Sequence, residues 1–556
     1  MALTKEQYSA FEAIVGPANI SCDAGILDTY TQVMTQGSAH AGPLYRIRTP
    51  RSAAVILPGS TEEVQKIIRL CNEYKIKFKA STTFWSAMGY PGQDGAIQMD
   101  MRRMNSIEID EKNQFAIIES YVTGATLQAE AMKHGLNASI IGAGSSCSVL
   151  AGCASHTSMG AYATAQGNGQ ECMMGAEWVT PEGEIIRTGS LGSGSGWFCG
   201  EGPGPSARGL FRGNLGMNGA LGVITRIAVR LFPWPGPKVL PSRGTVPAYK
   251  ADLPDNFKCY SLCFPTWQAW GDALMMMYES EVAYIGHRQF VMFGRELKVP
   301  MLKVLTDPDK QLCDLEWLDK DPECIKENQD MNIDIQITIA GFTKRDMELR
   351  EKTIDYILEK TGGWKSQFML DKEMMDFTLL YFVRIGHKNL NYAMCGAYEG
   401  NFGLIEQPYF GTARTERAAN FKLEWEQKSD AFVANGGDTM MLAMGQIGGG
   451  GNTGWEAFVN FDPADEDSCN GTFEYFEAAN KYIKENGFGS DMGRSNADAR
   501  GHDGYELSQE EQNKLFVNNP QPLGLVYQWK IRDAFNPNRL TDSYWRTLDP
   551  EMLEGI

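Results

Sequence analysis

From Gly142 to Gln170 the chain is dominated by Gly, Ser, Ala, Cys and Thr and carries almost no charge. Side chains this small contribute little to a core, but they let a backbone lie tightly against a ligand. A shorter stretch of the same texture, Ser81-Thr82-Thr83-Phe84-Trp85-Ser86-Ala87-Met88-Gly89-Tyr90-Pro91-Gly92, precedes it. Two such loops in one chain need a rigid frame to hold them, and the flanking sequence supplies its pattern.

Ala53-Ala54-Val55-Ile56-Leu57 is an apolar run stopped by Pro58-Gly59, which reads as a buried strand. Ser60 with Glu63 forms a capping box at a helix start. Val64, Ile67, Ile68 and Cys71 then recur at helical spacing, so one face of that helix is buried. Ile76 to Ala80 reads as a second strand, giving a βαβ unit expected to be right-handed. Ile97–Met99 and Phe115–Ser120 read as strands, and Thr126–His134 as a helix ended by Gly135. Trp178-Val179 and Ile185-Ile186 flank Pro181-Glu182-Gly183 as a hairpin. Val223–Leu231 is a further strand, punctuated by Pro233-Trp234-Pro235-Gly236. That break marks a domain boundary. Residues 239–490 are richer in Met, Trp and charge and are expected to form a separate α/β cap. The first thirty residues read as helical and peripheral. Phe535-Asn536-Pro537-Asn538 reads as a turn after a helix.

A chain of 556 residues is too long for one compact core. Its net charge of -18 argues against nucleic acid and against an acidic membrane surface. The start of the chain lacks the basic and apolar pattern of a signal peptide, and no window reaches the ~18 apolar residues of a membrane span. A cytoplasmic protein is expected. The 12 cysteines are scattered, and Cys259 and Cys263, one helical turn apart, have no matching second pair. The 6 histidines never fall at HxxxH spacing, so no metal site is expected. There is no GxGxxG opening a helix, no GxxxxGK[ST], and no GxSxG, since Gly192-Ser193-Gly194-Ser195-Gly196 has Gly in the middle.

The order of the positive signals is more specific than any one of them. Gly89-Tyr90-Pro91-Gly92 resembles the Gly-Tyr-Gly-Gly that ends the pyrophosphate loop of the vanillyl-alcohol-oxidase and p-cresol-methylhydroxylase superfamily of flavoproteins. Ser148-Val149-Leu150 and Met173-Met174 resemble that family's second FAD segment. Gly202-Pro203-Gly204-Pro205, Gly209-Leu210-Phe211 and Gly222-Val223-Ile224-Thr225 resemble its Gly-Pro…Gly-Leu-Phe…Gly-Ile-Val-Thr, and Asn536-Pro537-Asn538 its terminal Asp-Pro-Asn. D-2-hydroxy-acid dehydrogenases of the superfamily share much of this.

The resemblance implies an α/β (α+β) fold: a two-subdomain FAD-binding domain of the p-cresol-methylhydroxylase type with an inserted α/β cap. Residues 1–238 and 491–556 would form the FAD-binding domain and 239–490 the cap. It implies FAD as cofactor, its pyrophosphate cradled at Thr82, Thr83, Phe84, Trp85, Ser86 and Met88. Small residues there let backbone N–H groups supply donors without a Lys. Ser146, Cys147, Ser148, Gly152, Ser155 and His156 would line the ribityl chain and isoalloxazine, and Ile224 would touch the adenine end. The His that carries covalent flavin in some members is absent from the pyrophosphate loop. Cys147 and His156 are read as ordinary contacts, so non-covalent FAD is expected. Of the phenol oxidases' Tyr, Tyr, Arg set, Tyr90 matches one Tyr and Arg494 the Arg, while the second Tyr is lost at Gly493 or Met492. Gln170 stands near the position of their catalytic Asp. Gln446 to Trp455 has no His, unlike the metal motif of the hydroxy-acid dehydrogenases. Tyr381, Arg384, His387 and Tyr392 fall in one cap segment, where Arg384 and Tyr392 are candidate substrate contacts or the polar rim of a strand.

The expected reaction is hydride transfer to flavin N5 from a small anionic or phenolic substrate, a para-substituted phenol first, with Arg494 and Tyr90 holding the anion. A D-2-hydroxy-acid or alcohol dehydrogenase is one alternative. A non-catalytic flavin-binding subunit of a redox complex is another. The electron acceptor would be oxygen or an electron-transfer protein, and the family resemblance implies a homodimer.

Overall fold

The computed structural model describes residues 2–31, 50–84, 89–91, 93–138, 146–154, 163–166, 172–201, 219–239, 254–287, 333–366 and 530–542. It also describes residues 210, 216, 242–243, 250–251, 372, 375–376, and the backbone of 398–406 and 453–460.

The first layer is a small sheet of β1 (Ile20–Ser21), β2 (Ala54–Ile56), β3 (Phe78–Ser81) and β4 (Ile97–Asp100), in the order β1-β2-β4-β3. β2, β4 and β3 are parallel, and β1 adds an antiparallel edge. Residues Ala54, Val55 and Ile56 are all buried, as a strand covered on both faces requires. Helix α1 (Lys5–Val15) and α2 (Ala24–Thr29) precede β2, and α3 (Thr61–Tyr74) connects β2 to β3. α3 buries Val64, Ile67, Ile68 and Cys71, as their spacing predicts. Its cap is half of the expected box. Ser60 Oγ accepts from the Glu63 N–H at 3.1 Å, but the Glu63 carboxylate accepts from the Gly59 N–H at 2.7 Å. The first thirty residues are not peripheral. Phe11 is wholly buried, and Phe11, Val15 and Ile20 join the core of this sheet. Their contribution was hidden because α1 offers only Phe11 and Val15 as fully buried positions.

The second sheet contains β5 (Ile107–Asp110), β6 (Phe115–Glu119), β7 (Leu136–Ala138), β8 (Met173–Val179), β9 (Ile185–Arg187) and β10 (Val223–Pro233). The order is β5-β6-β10-β8-β9, antiparallel throughout, with β7 paired to the far end of β10. Trp178, wholly buried, donates from Nε1 to the Leu221 carbonyl at 2.6 Å. The turn into β10 needs Gly222: its φ is +100°, and a Cβ there would lie 2.2 Å from the Val179 carbonyl oxygen. α4 (Gly124–Lys133), α5 (Val149–Ala154) and α6 (Ala163–Gln166) lie between β6 and β8 in the chain. Buried Glu177 on β8 ties the two sheets together. Its carboxylate accepts from the Thr61 hydroxyl on α3 at 2.7 Å and from Arg187 at 2.8 Å.

The chain returns to both sheets at 530–542. The Phe78 N–H donates to the Leu540 carbonyl at 2.9 Å, and the Asp542 N–H to the Phe78 carbonyl at 2.7 Å, so this segment borders β3. The Thr541 hydroxyl donates to the Ala220 carbonyl at 3.1 Å beside the second sheet. Asn536 organises the turn: its amide donates to Thr541 at 2.6 Å and its carbonyl oxygen accepts from the Leu540 N–H at 3.1 Å. Phe535 packs on Trp178, with ring centroids 5.3 Å apart.

After a ribbon of β11 (Ser242–Arg243) and β12 (Lys250–Ala251), four strands make an antiparallel sheet in the order β14-β15-β13-β16. These are β13 (Phe257–Cys263), β14 (Ile285–His287), β15 (Asp334–Ala340) and β16 (Trp364–Lys365). α7 (Trp267–Ser280) and α8 (Lys344–Thr361) pack on Tyr260, Leu262, Ile335, Ile337 and Ile339. The alternate residues Cys259, Ser261, Cys263, Asp334, Gln336 and Thr338 are also buried, and they face the other way. Cys259 and Cys263 therefore share one face of a strand, not a helical turn. A separate pair, β17 (Tyr398–Glu406) and β18 (Thr453–Asn460), is antiparallel.

Candidate functional site

In an open sheet with parallel strands, ligands bind beyond the carboxyl ends of the strands. β3 and β4 end at Ser81 and Asp100, and the loop that begins at Thr82 leaves from that edge. The Ser81 hydroxyl donates to the Gly89 carbonyl and closes the loop on itself. Phe84 has φ +52°, the left-handed region that a bulky side chain seldom adopts. Its ring is held between two others, 5.3 Å from Tyr30 and 5.2 Å from Tyr90, centroid to centroid.

Beside this aromatic row, Asp100 is wholly buried but well partnered. Its carboxylate accepts from the Tyr30 hydroxyl at 2.6 Å, from Arg102 Nε at 2.7 Å and from the Arg102 backbone N–H at 3.0 Å. Burial, then the bond to Asp100, pushes the Tyr30 phenol well above its ordinary range. The bond to Asp100 also raises the Arg102 guanidinium. Burial raises the phenol of Tyr90, so it stays a neutral donor.

The second small-residue stretch meets the first. The Ser148 N–H donates to the Thr83 hydroxyl at 3.3 Å. Ser148 is itself fixed, since its hydroxyl donates to the Ser120 carbonyl at 2.6 Å and accepts from the Ala151 N–H at 3.1 Å. The Gly124 N–H donates to the Cys147 carbonyl at 3.0 Å, and the Val149 N–H to the Val122 carbonyl at 2.9 Å. Cys147 is buried, and Gly152 lies within α5.

Of the residues expected at the site, Thr82, Thr83, Phe84, Tyr90, Ser146, Cys147, Ser148, Gly152 and Ile224 are described. Thr83, Phe84, Tyr90 and Ser148 come together directly. Ile224 sits on β10 opposite Trp178 and packs against the second sheet's core. Trp85, Ser86, Met88, Ser155, His156, Gln170, Arg384, Tyr392 and Arg494 lie outside the described residues, as do Tyr381 and His387. Among the described residues no group of His, Cys, Asp and Glu could hold a metal ion.

Two clusters escaped the sequence reading. One is Tyr30–Asp100–Arg102; its only hint was an Asp closing a strand two residues before an Arg. The other is Asn137 on β7, Gln166 at the end of α6 and Tyr284 just before β14. Asn137 Nδ2 donates to the Tyr284 hydroxyl at 2.9 Å, and the Gln166 carboxamide lies beside that hydroxyl. Nothing in the sequence links these three positions.

Residues 52–189 match the family model of an FAD binding domain. The 4-cresol dehydrogenase [hydroxylating] flavoprotein subunit of Pseudomonas putida is 26% identical over 235 residues, 40% of this chain and 42% of that one. The D-lactate dehydrogenase of Archaeoglobus fulgidus is 27% identical over 195 residues, 34% of this chain and 41% of that one. The chain thus aligns with less than half the length of these curated relatives. Over the whole length the likeness is one of fold. A structure of p-cresol methylhydroxylase with substrate bound gives a TM-score of 0.69 at 16% identity, covering 98% of this chain and 97% of that one. The 4-ethylphenol oxidase from Gulosibacter chungangensis gives 0.67 at 19% identity, covering 99% of each. The matched region contains Thr82–Tyr90, Ser146–Ala154 and α6, and a buried amide oxygen of Asn137 lacks a partner among the described residues, which suits a hydrogen-bonding ligand. Residues 52–189 therefore match an FAD binding domain, and the chain as a whole has the fold of p-cresol methylhydroxylase.

Proposed function

We propose that this flavoprotein is an oxidoreductase that removes a hydride from a small aromatic substrate, a para-substituted phenol first. Residues 1–238 and 491–556 hold FAD, and residues 239–490 form the cap over the substrate. The observation that carries the reading is the Ser81–Tyr90 loop, closed on itself at the carboxyl ends of β3 and β4 and tied to the second segment by Ser148 and Thr83. Thr82 to Met88 would hold the pyrophosphate, and Ser146 to His156 the ribityl chain and ring. FAD supplies a hydride acceptor at N5 when bound.

The chain's own part is to bind and activate the substrate. Tyr90, kept neutral by burial, donates to a phenolate oxygen, and Arg494 adds a fork of donors. A phenolate para to the reacting carbon pushes electrons toward the departing hydride, so holding the anion favours the transfer. Gln170 offers an amide where a carboxylate base would stand, so activation falls on the Tyr90 and Arg494 pair.

A 2-hydroxy acid is the second candidate, favoured by the likeness to D-lactate dehydrogenase and by an Arg suited to a carboxylate. The lack of a base at Gln170 also suits a flavin-binding subunit without its own substrate. Anaerobic mixing with a panel of para-substituted phenols and D-2-hydroxy acids separates the three. Bleaching of the flavin band by phenols supports the proposal, bleaching by hydroxy acids alone supports the second reading, and no bleaching by either supports the third. Flavin left in the supernatant after acid precipitation would bear out non-covalent binding.

A further inference from the structure

Helix α8 has two faces, and its inner one is fully occupied. Met347, Ile354, Ile357 and Leu358 are buried against the β13–β16 sheet and α7. Arg350 and Glu351 serve the same side. Arg350 donates to the Glu281 and Val282 carbonyls at 3.1 and 2.9 Å, and Glu351 accepts from the Tyr260 hydroxyl at 3.2 Å. The outer face of such a helix is ordinarily polar throughout. Here it is not. Leu349 is 64% exposed and Tyr356 53%, and Phe342, just ahead of the cap residue Thr343, is 61% exposed. The three are spaced by seven residues, so Leu349 and Tyr356 stand in line two turns apart and Phe342 continues the row. Single exposed apolar side chains need no explanation, but a row in register marks a contact surface.

Exposed charges of alternating sign run beside the row: Arg345, Glu348, Lys352 and Asp355. Glu348 and Lys352 stand four apart, the spacing of a pair within one helix. Even so, Arg345, Glu348 and Lys352 make no ion pair among the described residues. The order plus, minus, plus, minus is its own complement when reversed. Laid antiparallel against a second α8, Glu348 meets Lys352 and Arg345 meets Asp355, and symmetry repeats each pair. The register that stacks Leu349 on Leu349 and Phe342 on Tyr356 differs from this by two residues, about 3 Å along the axis, within the reach of Lys and Arg side chains. Parallel alignment in register would instead set like charge on like. We propose that the outer face of α8 is a self-association surface, taken by α8 of a second copy of this chain in antiparallel register about a two-fold axis. Long-range repulsion between two chains of net charge -18 opposes the contact. One helix pair is also a small interface, so a dissociation constant on the order of micromolar is expected.

Sedimentation velocity on the purified full chain, from about 0.5 to about 100 µM so as to bracket that constant, provides the test. Wild type should pass from monomer to dimer across this range. Glu348→Lys and Lys352→Glu each set like charges face to face and should weaken association at least about tenfold. An equimolar mixture of the two single variants should dimerise again, because one copy then carries both positive charges and the other both negative ones. The double variant Glu348→Lys/Lys352→Glu should also regain wild-type association. These positions are exposed, and unchanged thermal midpoints would show that each variant folds. Monomer at every concentration would overturn the proposal and leave the row to a different protein. A dimer indifferent to both single variants would put the contact on another face and overturn it as well. So would a mixture that stays monomeric.

Discussion

Phe84 occupies a backbone region that costs a bulky residue of order 1–3 kcal/mol, and such strain persists only where the surroundings fix it. Here the surroundings are the Tyr30 and Tyr90 rings and, behind Tyr30, the buried Asp100 carboxylate. Tyr30→Phe removes a hydrogen bond to a buried charge. It is expected to cost about 1.5–3 kcal/mol in urea denaturation and to weaken FAD binding by loosening Phe84. Unchanged stability would mean that Arg102 alone satisfies Asp100. Burial also sets a pH dependence. Tyr30, Tyr90, Tyr260 and Tyr284 are all raised above the ordinary tyrosine value of 10.0. Above that value the unfolded chain has released these protons while the folded chain still holds them, so stability falls as pH rises. Below it their contribution is fully present. Denaturation midpoints should therefore drop on the alkaline side of pH 10.0, and Tyr284→Phe should lessen the drop. None of this was legible beforehand. Tyr30 and Asp100 stand 70 residues apart, and Asn137 and Tyr284 147 apart, so only tertiary structure brings them together.

Secondary structure was easier to read, because its signals are local. The Ala54–Ile56 strand, the α3 stripe and the β8–β9 hairpin follow from period and punctuation alone. Where an element is too short to show a period, the sequence leaves it open. A two-residue edge strand such as β1 has no periodicity to detect, and a four-residue spacing, as in Cys259 and Cys263, suits a strand face as well as a helical turn. At this scale the turn into β10 makes a sharp prediction. Gly222→Ala places a methyl against the Val179 carbonyl at a φ that alanine disfavours. A loss of about 2–4 kcal/mol is expected, read as a lower thermal midpoint, whereas Gly194→Ala, with open space around its Cβ, should cost less. Glu177→Leu should cost about 2–3 kcal/mol, since Thr61 and Arg187 each lose an acceptor and the link between the two sheets falls to the Thr61–Thr225 bond.

For the molecule as a whole, the order of motifs along the chain carried the fold, and the loop begun at Thr82 leaves from the carboxyl ends of β3 and β4. The substrate side did not follow, because Gln170, Arg384, Tyr392 and Arg494 lie outside the described residues. The segment 530–542 is the long-range closure. Asn538 donates to Asn72 across 466 residues, and Leu540 and Asp542 complete the pairing of Phe78. Asn536→Ala unhooks the turn that presents Thr541 and Leu540. Weaker FAD retention on gel filtration and a lower thermal midpoint are expected. Full retention with an unchanged midpoint would show that the turn holds without its hook.

That closure has a consequence for how the protein is made. β3 leaves the ribosome long before residues 540–542, which border it. Until then its flank at Phe78 presents unpaired peptide groups, the kind of edge on which chains stick to one another. The β13–β16 sheet draws its strands from 257–365 and can close much sooner. Between residues 365 and 540 the nascent chain therefore carries a closed β13–β16 sheet beside an unclosed first sheet, and products truncated there should aggregate through the first sheet.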